Sequence, residues 1–298
     1  MARGGGAAPL FGKEFAPAKI NLSLHVTGRR PDGYHTLDSL VAFAAIGDRI
    51  EAVPAPQAAT PSLSIEGPFA AGLDAEADNL VLRAARSYAA HGGAIAGFDL
   101  RLDKRLPVAS GIGGGSADAA ATLRLLARIA PLPSADPCAV IAPTLGADVP
   151  MCLRSTPLRA TGIGEKLAPV TGLPRLPMVL VNPRVAVSTP AVFRQLARRD
   201  NPGLAALPAS FADVAALAAW LGSTRNDLEA AAMALHPEIA DALAETGADD
   251  ACLLARMSGS GATVFGLFPD DASAARAAQR VKAARPGWWT VATHTSGS

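Results

Sequence analysis

The chain has 298 residues, of which 50% are hydrophobic and 18% charged, and its formal net charge at pH 7 is +1. This size and apolar content predict one large or two medium globular domains with their own hydrophobic cores. A charge so close to zero argues against a nucleic-acid partner and against an acidic tail. No apolar run approaches the roughly 20 residues that a membrane-spanning helix needs, so we expect no membrane partner.

The N-terminus and the cysteines indicate the compartment in which the protein works. Residues 1–8 lack the apolar segment of a signal peptide and are expected to form a frayed end. Cys138, Cys152 and Cys252 are odd in number and far apart, so they predict neither a Cys-x-x-Cys metal site nor a disulfide framework. These features together predict a protein of the reducing cytoplasm.

The first part of the chain predicts strands followed by helices. Alternation is clearest where Phe98, Leu100 and Leu102 interleave with charged residues, which is typical of a half-buried strand. The predicted elements are extended segments at 14–26, 34–53 and 61–67, a helix that opens at 78–79, a strand at 98–106, a helix after a glycine-rich segment and a short helix at 137–145.

The glycine-rich segment at 107–118, called the glycine-rich or phosphate loop below, is the most informative part of the sequence. Glycine this dense is costly to order in a regular element, whereas the alanine- and leucine-rich residues 119–126 that follow favour a helix. A side-chain-poor loop that leads into a helix N-terminus predicts an anion site, with a polyphosphate as its ligand. The loop lacks the lysine of a P-loop, and Ser116 stands where a dinucleotide fingerprint needs its third glycine. The alternative is a mobile linker rich in glycine and serine.

A domain boundary is expected near residue 165, because prolines interrupt any long element between 154 and 178. This divides the chain into an N-terminal domain, 1–165, and a C-terminal domain, 166–298. The second part predicts a strand at 178–181, a helix at 189–198, a helical region at 211–245 broken near Gly222, two strands around 257–265, a helix at 272–284 and a last strand at 288–293.

Two segments near the N-terminus carry candidate polar groups. Lys19 and Asn21 are two apart in a predicted strand, so they share one face, which is either a binding surface or an exposed strand face. Residues 28–35 contain a Pro-Asp-Gly turn between two strands. Local rules do not decide whether Tyr34 and His35, which follow the turn, bind a ligand.

Two further segments complete the candidate site. Asp148 lies between small and apolar residues before a proline and an expected strand; it is either a functional carboxylate or a turn aspartate. Ser258, Gly259, Ser260 and Gly261 form either a hairpin turn or a second backbone anion nest. A phosphate loop, a lysine, an aspartate and a second nest are together the components of phosphoryl transfer from a nucleotide.

These segments resemble a known enzyme family. Residues 17–22, 107–121 and 258–261 are similar to the three signatures of the galactokinase, homoserine kinase, mevalonate kinase and phosphomevalonate kinase (GHMP) superfamily. Segments 30–35, 146–150 and 226–229 resemble the branch that acts on a cytidine-diphosphate derivative of methylerythritol. The resemblance implies an α+β fold with an N-terminal ribosomal-protein-like α/β domain that binds ATP, a C-terminal ferredoxin-like domain and the active site in the cleft between them.

The reaction implied by the resemblance is transfer of the γ-phosphoryl group of ATP, with Mg²⁺, to the 2-hydroxyl of 4-diphosphocytidyl-2-C-methyl-D-erythritol. The products would be ADP and the 2-phosphate, an intermediate of the non-mevalonate route to isoprenoid precursors. Asp148 would orient the hydroxyl and accept its proton late in the transfer, and Lys19 would keep Asp148 ionised. The partner is a small molecule, and a monomer or weak homodimer is expected.

The binding roles follow the same resemblance. The loop would wrap the ATP phosphates, and the Ser116 hydroxyl would meet a phosphate or Mg²⁺; the metal ligands themselves stay open. Tyr34 and Phe193 would sandwich the cytosine, and His35 would read its polar edge; Phe193 is alternatively a core residue of its helix. The ATP-binding candidates are Pro107, Val108, Ala109, Ser110, Gly111, Ile112, Gly113, Gly114, Gly115, Ser116 and Ala117, with Lys104 and Asn79 near the adenine. Asn21 and Thr189 are further substrate-binding candidates.

Two other functions remain open at this point. A sister kinase for homoserine or a mevalonate derivative would keep the phosphate loops but would not need a cytosine pocket, so competition by CMP separates the two. A nucleotide-binding protein without catalysis, or an RNA-contacting protein with a ribosomal-type domain, is the second alternative. The presence of both Lys19 and Asp148 argues against the former, and the near-neutral charge argues against the latter.

Overall fold

In the computed structural model, the described residues are 12–73, 78–132 and 136–295. The frayed end expected at residues 1–8 lies outside them. The strands are β1 (Lys13–Arg29), β2 (His35–Pro54), β3 (Leu63–Glu66), β4 (Phe98–Asp103), β5 (Leu158–Gly162), β6 (Lys166–Pro169), β7 (Pro177–Asn182), β8 (Leu254–Met257), β9 (Val264–Leu267) and β10 (Trp289–His294). The helices are α1 (Leu80–Ala90), α2 (Gly114–Ile129), α3 (Pro137–Leu145), α4 (Val149–Arg154), α5 (Thr189–Arg194), α6 (Val214–Gly222), α7 (Glu229–Leu235), α8 (Glu238–Gly247) and α9 (Asp271–Ala284).

The larger sheet is built on a long antiparallel hairpin of β1 and β2. Its order is β3-β4-β2-β5-β6, with β1 also paired to β2, and only the β3–β4 pair is parallel. The register of β1 shifts between Pro17 and Lys19 and again between Asn21 and Ser23. Such irregularities redirect side chains and are common beside active sites. They lie on both sides of the two polar residues that the sequence singled out in this strand.

The smaller sheet has the order β10-β7-β9-β8 and is antiparallel throughout. Helices α8 and α9 pack on it through a core that includes Ile239 and Val281. A separate core joins the two sheets, because Ile20 of β1 and Leu180 of β7 belong to the same buried cluster. The two sheets therefore share one buried apolar cluster. The predicted α+β fold is confirmed.

The domain boundary expected near residue 165 stays a prediction. The β5–β6 hairpin belongs to the larger sheet and runs to Pro169, and the first strand of the smaller sheet begins at Pro177. The sequence did not predict this hairpin. Its two strands have only five and four residues, and the prolines around them argued against any regular element. Within the described ranges, no helix has both the length and the apolar character needed to cross a membrane.

Several local predictions differ from the structure. The helix expected at 189–198 ends at Arg194, and the region expected to be helical at 211–245 contains α6, α7 and α8, with a second break at 236–237. Helix α2 begins at Gly114, inside the glycine-rich run, because Gly113 adopts a left-handed conformation (φ 68°) and turns the chain into the helix. The strand expected after Asp148 is wrong, since α4 begins there. Pro150 is compatible with the first turn of a helix, and burial of Val149 and Met151 holds α4 against the core.

Candidate active site

A cavity of about 480 Å³ opens where β1, the glycine-rich loop and the first turn of α2 meet the loop between β8 and β9. It brings together most of the residues that the sequence selected from widely separated segments. Those that line it are Lys19, Asn21, Asn79, Lys104, Pro107, Val108, Ala109, Ser110, Gly111, Gly113, Gly114, Gly115, Ser116, Asp148, Thr189, Phe193, Gly259 and Ser260.

Some candidates do not line this cavity. Ile112 and Ala117 are fully buried and support the loop from beneath; the Ile112 carbonyl accepts a hydrogen bond from the Lys19 amide at 2.9 Å. In the second glycine segment (258–261), Ser258 is buried and Gly261 does not line the cavity, and His35 does not line it either. Tyr34 is 63% exposed and lines a neighbouring depression.

Lys19 and Asp148 form the central ion pair, with Lys19 Nζ 2.6 Å from Asp148 Oδ2. The lysine side chain is 7% exposed and the carboxylate 38% exposed, so the pair is protected on one side and open to the cavity on the other. Burial alone would lower the pKa of Lys19, but the charge and hydrogen bond of Asp148 outweigh it and raise that pKa above its usual range. Lys19 is therefore a fixed positive charge at the site.

The carboxylate is available for this pairing because of its place before α4. Asp148 occupies the N-cap position, yet its side chain makes no capping hydrogen bond. An aspartate at this position commonly satisfies a free backbone N–H of its own helix. Here the carboxylate turns instead to a lysine 129 residues away in the sequence.

The glycine-rich loop passes close to other backbone on both sides. A Cβ at Gly111 would lie 2.5 Å from the Ser258 carbonyl oxygen, so only glycine fits there. The loop ends at the first turn of α2, which has no side-chain cap. Its backbone N–H groups and the positive end of the helix dipole can therefore bind phosphate oxygens.

The second glycine segment is hydrogen-bonded to both sides of the cleft. The Ser258 hydroxyl accepts a hydrogen bond from the backbone amide of Asn21 at 3.0 Å and donates one to the Gly111 carbonyl at 3.2 Å. The hydroxyls of Thr189 and Ser260 are 2.7 Å apart. This segment therefore connects the strand that carries Lys19, the phosphate loop and the start of α5.

Lys104 is held in a buried charge cluster that the sequence did not predict. Its ammonium lies 2.6 Å from Asp48 Oδ2 and 2.7 Å from Asp118 Oδ2. Asp48 Oδ1 also accepts from the backbone amides of Arg105 and Leu106. Burial raises the pKa of Asp118 to about 7; Lys104 opposes this shift and Asp48 adds to it. The cluster supports the strand and helix on either side of the glycine-rich loop.

Sequence reasoning missed Asp48 and Asp118 for different reasons. Asp118 was visible at the end of the glycine-rich segment but carried no signal that separated it from a surface charge. Asp48 lies within β2 and meets Lys104 only through folding. Asn79 caps α1 by accepting a hydrogen bond from the Val81 amide. Asn79 and Lys104 both line the cavity, and their placement near an adenine stays a prediction.

Two of the substrate candidates stack on each other, and of these two Phe193 lines the cavity. The rings of His35 and Phe193 stack with centroids 4.8 Å apart and an angle of 18° between their planes. Within the described ranges, His35 Nε2 is buried without a hydrogen-bond partner. Burial lowers the pKa of His35, and the charges of Arg199 and Arg29 lower it further. Phe193 lines the cavity and also packs at the edge of a core, and its contact with a cytosine stays a prediction.

The fold and the site together define a small-molecule kinase of the GHMP class. Sequence profiles of the GHMP kinases N terminal domain and of the GHMP kinases C terminal match residues 79–156 and 203–286. A crystal structure of homoserine kinase from Cytophaga hutchinsonii has the same fold, with a TM-score of 0.64 at 16% identity over 100% of this chain and 98% of that one.

Closer relatives narrow the class. The chain is 53% identical to a 4-diphosphocytidyl-2-C-methyl-D-erythritol kinase of Cereibacter sphaeroides over 95% of this chain and 99% of that protein. It is 54% identical to the enzyme of the same name from Paracoccus denitrificans over 96% of this chain and 97% of the relative. A crystal structure of 4-(cytidine 5'-diphospho)-2C-methyl-D-erythritol kinase superposes with a TM-score of 0.79 at 34% identity, covering 96% of this chain and 100% of that one. The chain belongs to the family of 4-diphosphocytidyl-2-C-methyl-D-erythritol kinases.

Proposed function

We propose that this protein transfers the γ-phosphoryl group of ATP to the 2-hydroxyl of 4-diphosphocytidyl-2-C-methyl-D-erythritol, giving the 2-phosphate and ADP. The observation that carries the proposal is the 2.6 Å pair of Lys19 and Asp148, which lies in one cavity with the glycine-rich loop. The chain is more than half identical to enzymes of that name, and in this proposal the pair lies where the acceptor alcohol meets the γ-phosphate.

The pair would act on the acceptor alcohol. The hydroxyl oxygen forms a bond to the γ-phosphorus, the bond from that phosphorus to the bridging oxygen of ADP breaks, and the hydroxyl proton moves to Asp148. A carboxylate is too weak a base to ionise an alcohol in the ground state, so Asp148 would orient the hydroxyl first and accept the proton late. Lys19 occupies Oδ2 of Asp148, which leaves Oδ1 for the hydroxyl.

The phosphates would be bound by the backbone of the glycine-rich loop and the first turn of α2. Within the described ranges, no group of three or more histidine, cysteine or acidic side chains is arranged to hold a metal ion. Mg²⁺ commonly takes only one or two protein oxygens and completes its shell with phosphates and water. A cavity wall that offers few protein ligands is therefore compatible with this ion. The Ser116 hydroxyl at the cavity wall would be its protein ligand. When bound, Mg²⁺ neutralises charge on the phosphate oxygens.

The cytidyl group would bind at the end of the cavity where His35 stacks on Phe193. His35 Nε2 lacks a partner among the described residues, and hydrogen bonding to a cytosine edge would provide one. In this proposal Tyr34 closes over the base from its exposed position, and Asn21 and Thr189 contact the substrate. The cytoplasmic location, the monomeric or weakly dimeric state and the division into 1–165 and 166–298 stay predictions.

The proposal is tested by measuring ADP release from ATP and Mg²⁺ with three alcohols: 4-diphosphocytidyl-2-C-methyl-D-erythritol, homoserine and mevalonate. Turnover confined to the cytidyl substrate, with competitive inhibition by CMP, is the expected result. Turnover with another alcohol alone would retain the roles of Lys19 and Asp148 and reject the cytosine pocket. A folded protein that binds ATP and turns over none of them would favour a nucleotide-binding protein without catalysis.

A further inference from the structure

Asn226 belongs to a sequence segment to which neither the fold nor the proposed reaction has given a role. Its side chain is 7% exposed, and its hydrogen-bonding groups are engaged in three contacts. The Nδ2 group donates to the carbonyl oxygens of Met257 and Gly259, both at 2.8 Å. Its Oδ1 accepts from the Leu228 amide at 3.0 Å. The carboxamide thus connects the start of α7 to the second glycine segment.

A second contact from the same helix reinforces this connection. Glu229 Oε2 accepts a hydrogen bond from the Met257 amide at 2.8 Å. The Met257 amide and carbonyl are therefore both bound by residues at the start of α7, and the Gly259 carbonyl is bound as well. The backbone from 257 to 259 has little freedom to shift relative to Asn226.

Asn226 is itself anchored to the strand that carries Lys19. The Leu24 amide donates to the Arg225 carbonyl at 2.9 Å, and the Asp227 amide donates to the Leu24 carbonyl at 2.8 Å. Residues 225–227 thus add a short parallel bridge to the side of β1. The Asn226 carboxamide is thus one of the links that hold the second glycine segment to the strand of the active-site lysine.

The position of this segment decides two contacts in the cleft. The Ser258 hydroxyl joins the Asn21 amide to the Gly111 carbonyl. A Cβ at Gly259 would lie 2.7 Å from the Gly111 carbonyl oxygen, so the two glycine segments pack backbone against backbone. A small shift of residues 257–259 would break the Ser258 connection or press on the phosphate loop.

We propose that Asn226 is a positioning residue for phosphoryl transfer, whose carboxamide sets the second glycine segment so that Ser258 aligns the phosphate loop with the strand of Lys19. The kinetic part of this proposal rests on the proposed function. The positioning of the phosphate loop does not, because it also governs the binding of ADP alone.

The proposal depends on the side-chain carboxamide of Asn226, whose NH₂ group supplies both donors. Asn226→Asp keeps the size of the side chain but removes both donors and turns a carboxylate towards two carbonyl oxygens that cannot donate. A matched control is Asn182→Asp. Asn182 is 1% exposed; its Nδ2 donates to the Thr263 hydroxyl at 2.9 Å and its Oδ1 accepts from the Arg184 amide at 2.7 Å. The hydroxyl can rotate and donate to a carboxylate, so this control keeps its partners.

The experiment compares wild type, N226D, N182D, S258A and the double variant N226D/S258A. It measures kcat, the KM values of both substrates and the dissociation constant of ADP by calorimetry. We expect N226D to lose at least about tenfold in kcat and to bind ADP at least about fivefold more weakly, with N182D near wild type. We also expect the double variant to lose little more than S258A alone, because both changes break one connection.

Wild-type kcat and ADP affinity in N226D would overturn the proposal, as would strictly additive effects in the double variant, which indicate a role in general stability. If N226D does not fold, Asn226→Ser, which avoids the new charge, must show the same loss of ADP affinity; wild-type affinity in that variant would also overturn it. If the wild type does not phosphorylate the cytidyl substrate, the proposed function fails, and the ADP measurements still decide the positioning role.

Discussion

The ammonium of Lys19 and the carboxylate of Asp148 meet at 2.6 Å although 129 residues separate them in the chain. The lysine comes from an irregular stretch of β1, and the aspartate from the residue before α4. This half-buried pair thus links the larger sheet to the helical layer at the cavity. The same contact fixes the charge state of the lysine and the orientation of the carboxylate.

Removing either member of this pair should abolish most turnover. Lys19→Ala and Asp148→Asn are each expected to lower kcat by at least ~10²-fold, the usual scale for one catalytic electrostatic or proton-transfer group. The measurement is the rate of ADP release at saturating substrates. Lys13→Ala is the control, because Lys13 is a surface lysine whose side chain is 69% exposed. Near-wild-type turnover in K19A or D148N would remove these residues from the mechanism.

His35 and Phe193, whose rings stack on each other, should bind the cytosine. Phe193→Ala is expected to raise the KM of the cytidyl substrate and the inhibition constant of CMP by ~5- to 100-fold, the range for loss of one base-stacking contact. The KM of ATP should change little. Phe211→Ala serves as the control, since Phe211 packs on Trp220 outside the cavity. An unchanged CMP inhibition constant in F193A would place the base elsewhere.

His35 should stay neutral to lower pH than an ordinary histidine. Burial, followed by the charges of Arg199 and Arg29, lowers its pKa below 6.5. As the pH falls below 6.5, the unfolded chain binds a proton before the folded one, so stability decreases from pH 6.5 down to the folded pKa and stays lower below it. An NMR titration should show a midpoint below 6.5 that rises in Arg199→Gln.

Arg198→Gln is the matched control for that titration, because Arg198 pairs with Asp200 at the surface and is not among the charges that act on His35. The titration midpoint of His35 should be the same in R198Q as in the wild type. Equal shifts in the two variants would show that the effect is not specific to Arg199.

Lys104 should be needed more for stability than for chemistry. Lys104→Met leaves Asp48 and Asp118 buried together without their cation, and we expect a loss of about 3–5 kcal/mol in the free energy of unfolding. The loss should be larger at pH 8 than at pH 6. Burial raises the pKa of Asp118 to about 7 although Lys104 lowers it, so without Lys104 that pKa rises further. As the pH rises from 6 to 8, the wild type completes the ionisation of Asp118, whereas the variant continues to lose stability because it must ionise this carboxyl beside Asp48.

Urea unfolding at the two pH values measures this effect. Lys166→Met, at an exposed lysine, should change stability by less than about 0.5 kcal/mol. Adding Asp118→Asn to Lys104→Met should recover part of the loss, because it removes one of the two uncompensated charges. A stable K104M protein with normal pH dependence would contradict the assignment of the cluster.

Much of this molecule follows from local sequence. The alternation at 98–102 specifies a strand, and the glycine run with its alanine-rich continuation specifies a loop that leads to a helix. The Pro-Asp-Gly turn specifies a hairpin. These signals are local because backbone sterics and side-chain period act over a few residues. The glycine run also marked the loop residues that line the cavity. The length and apolar content correctly implied well-formed cores.

Only the tertiary structure decided how those residues are used. The sequence by itself determined that Lys19, Lys104 and Asp148 were notable, but not that Asp148 pairs with Lys19 while Lys104 is held by Asp48 and Asp118. It also placed a strand where α4 forms. The physical reason is that burial and charge pairing here depend on contacts between residues 14 to 129 positions apart, and such contacts exist only once the sheets and helices have packed.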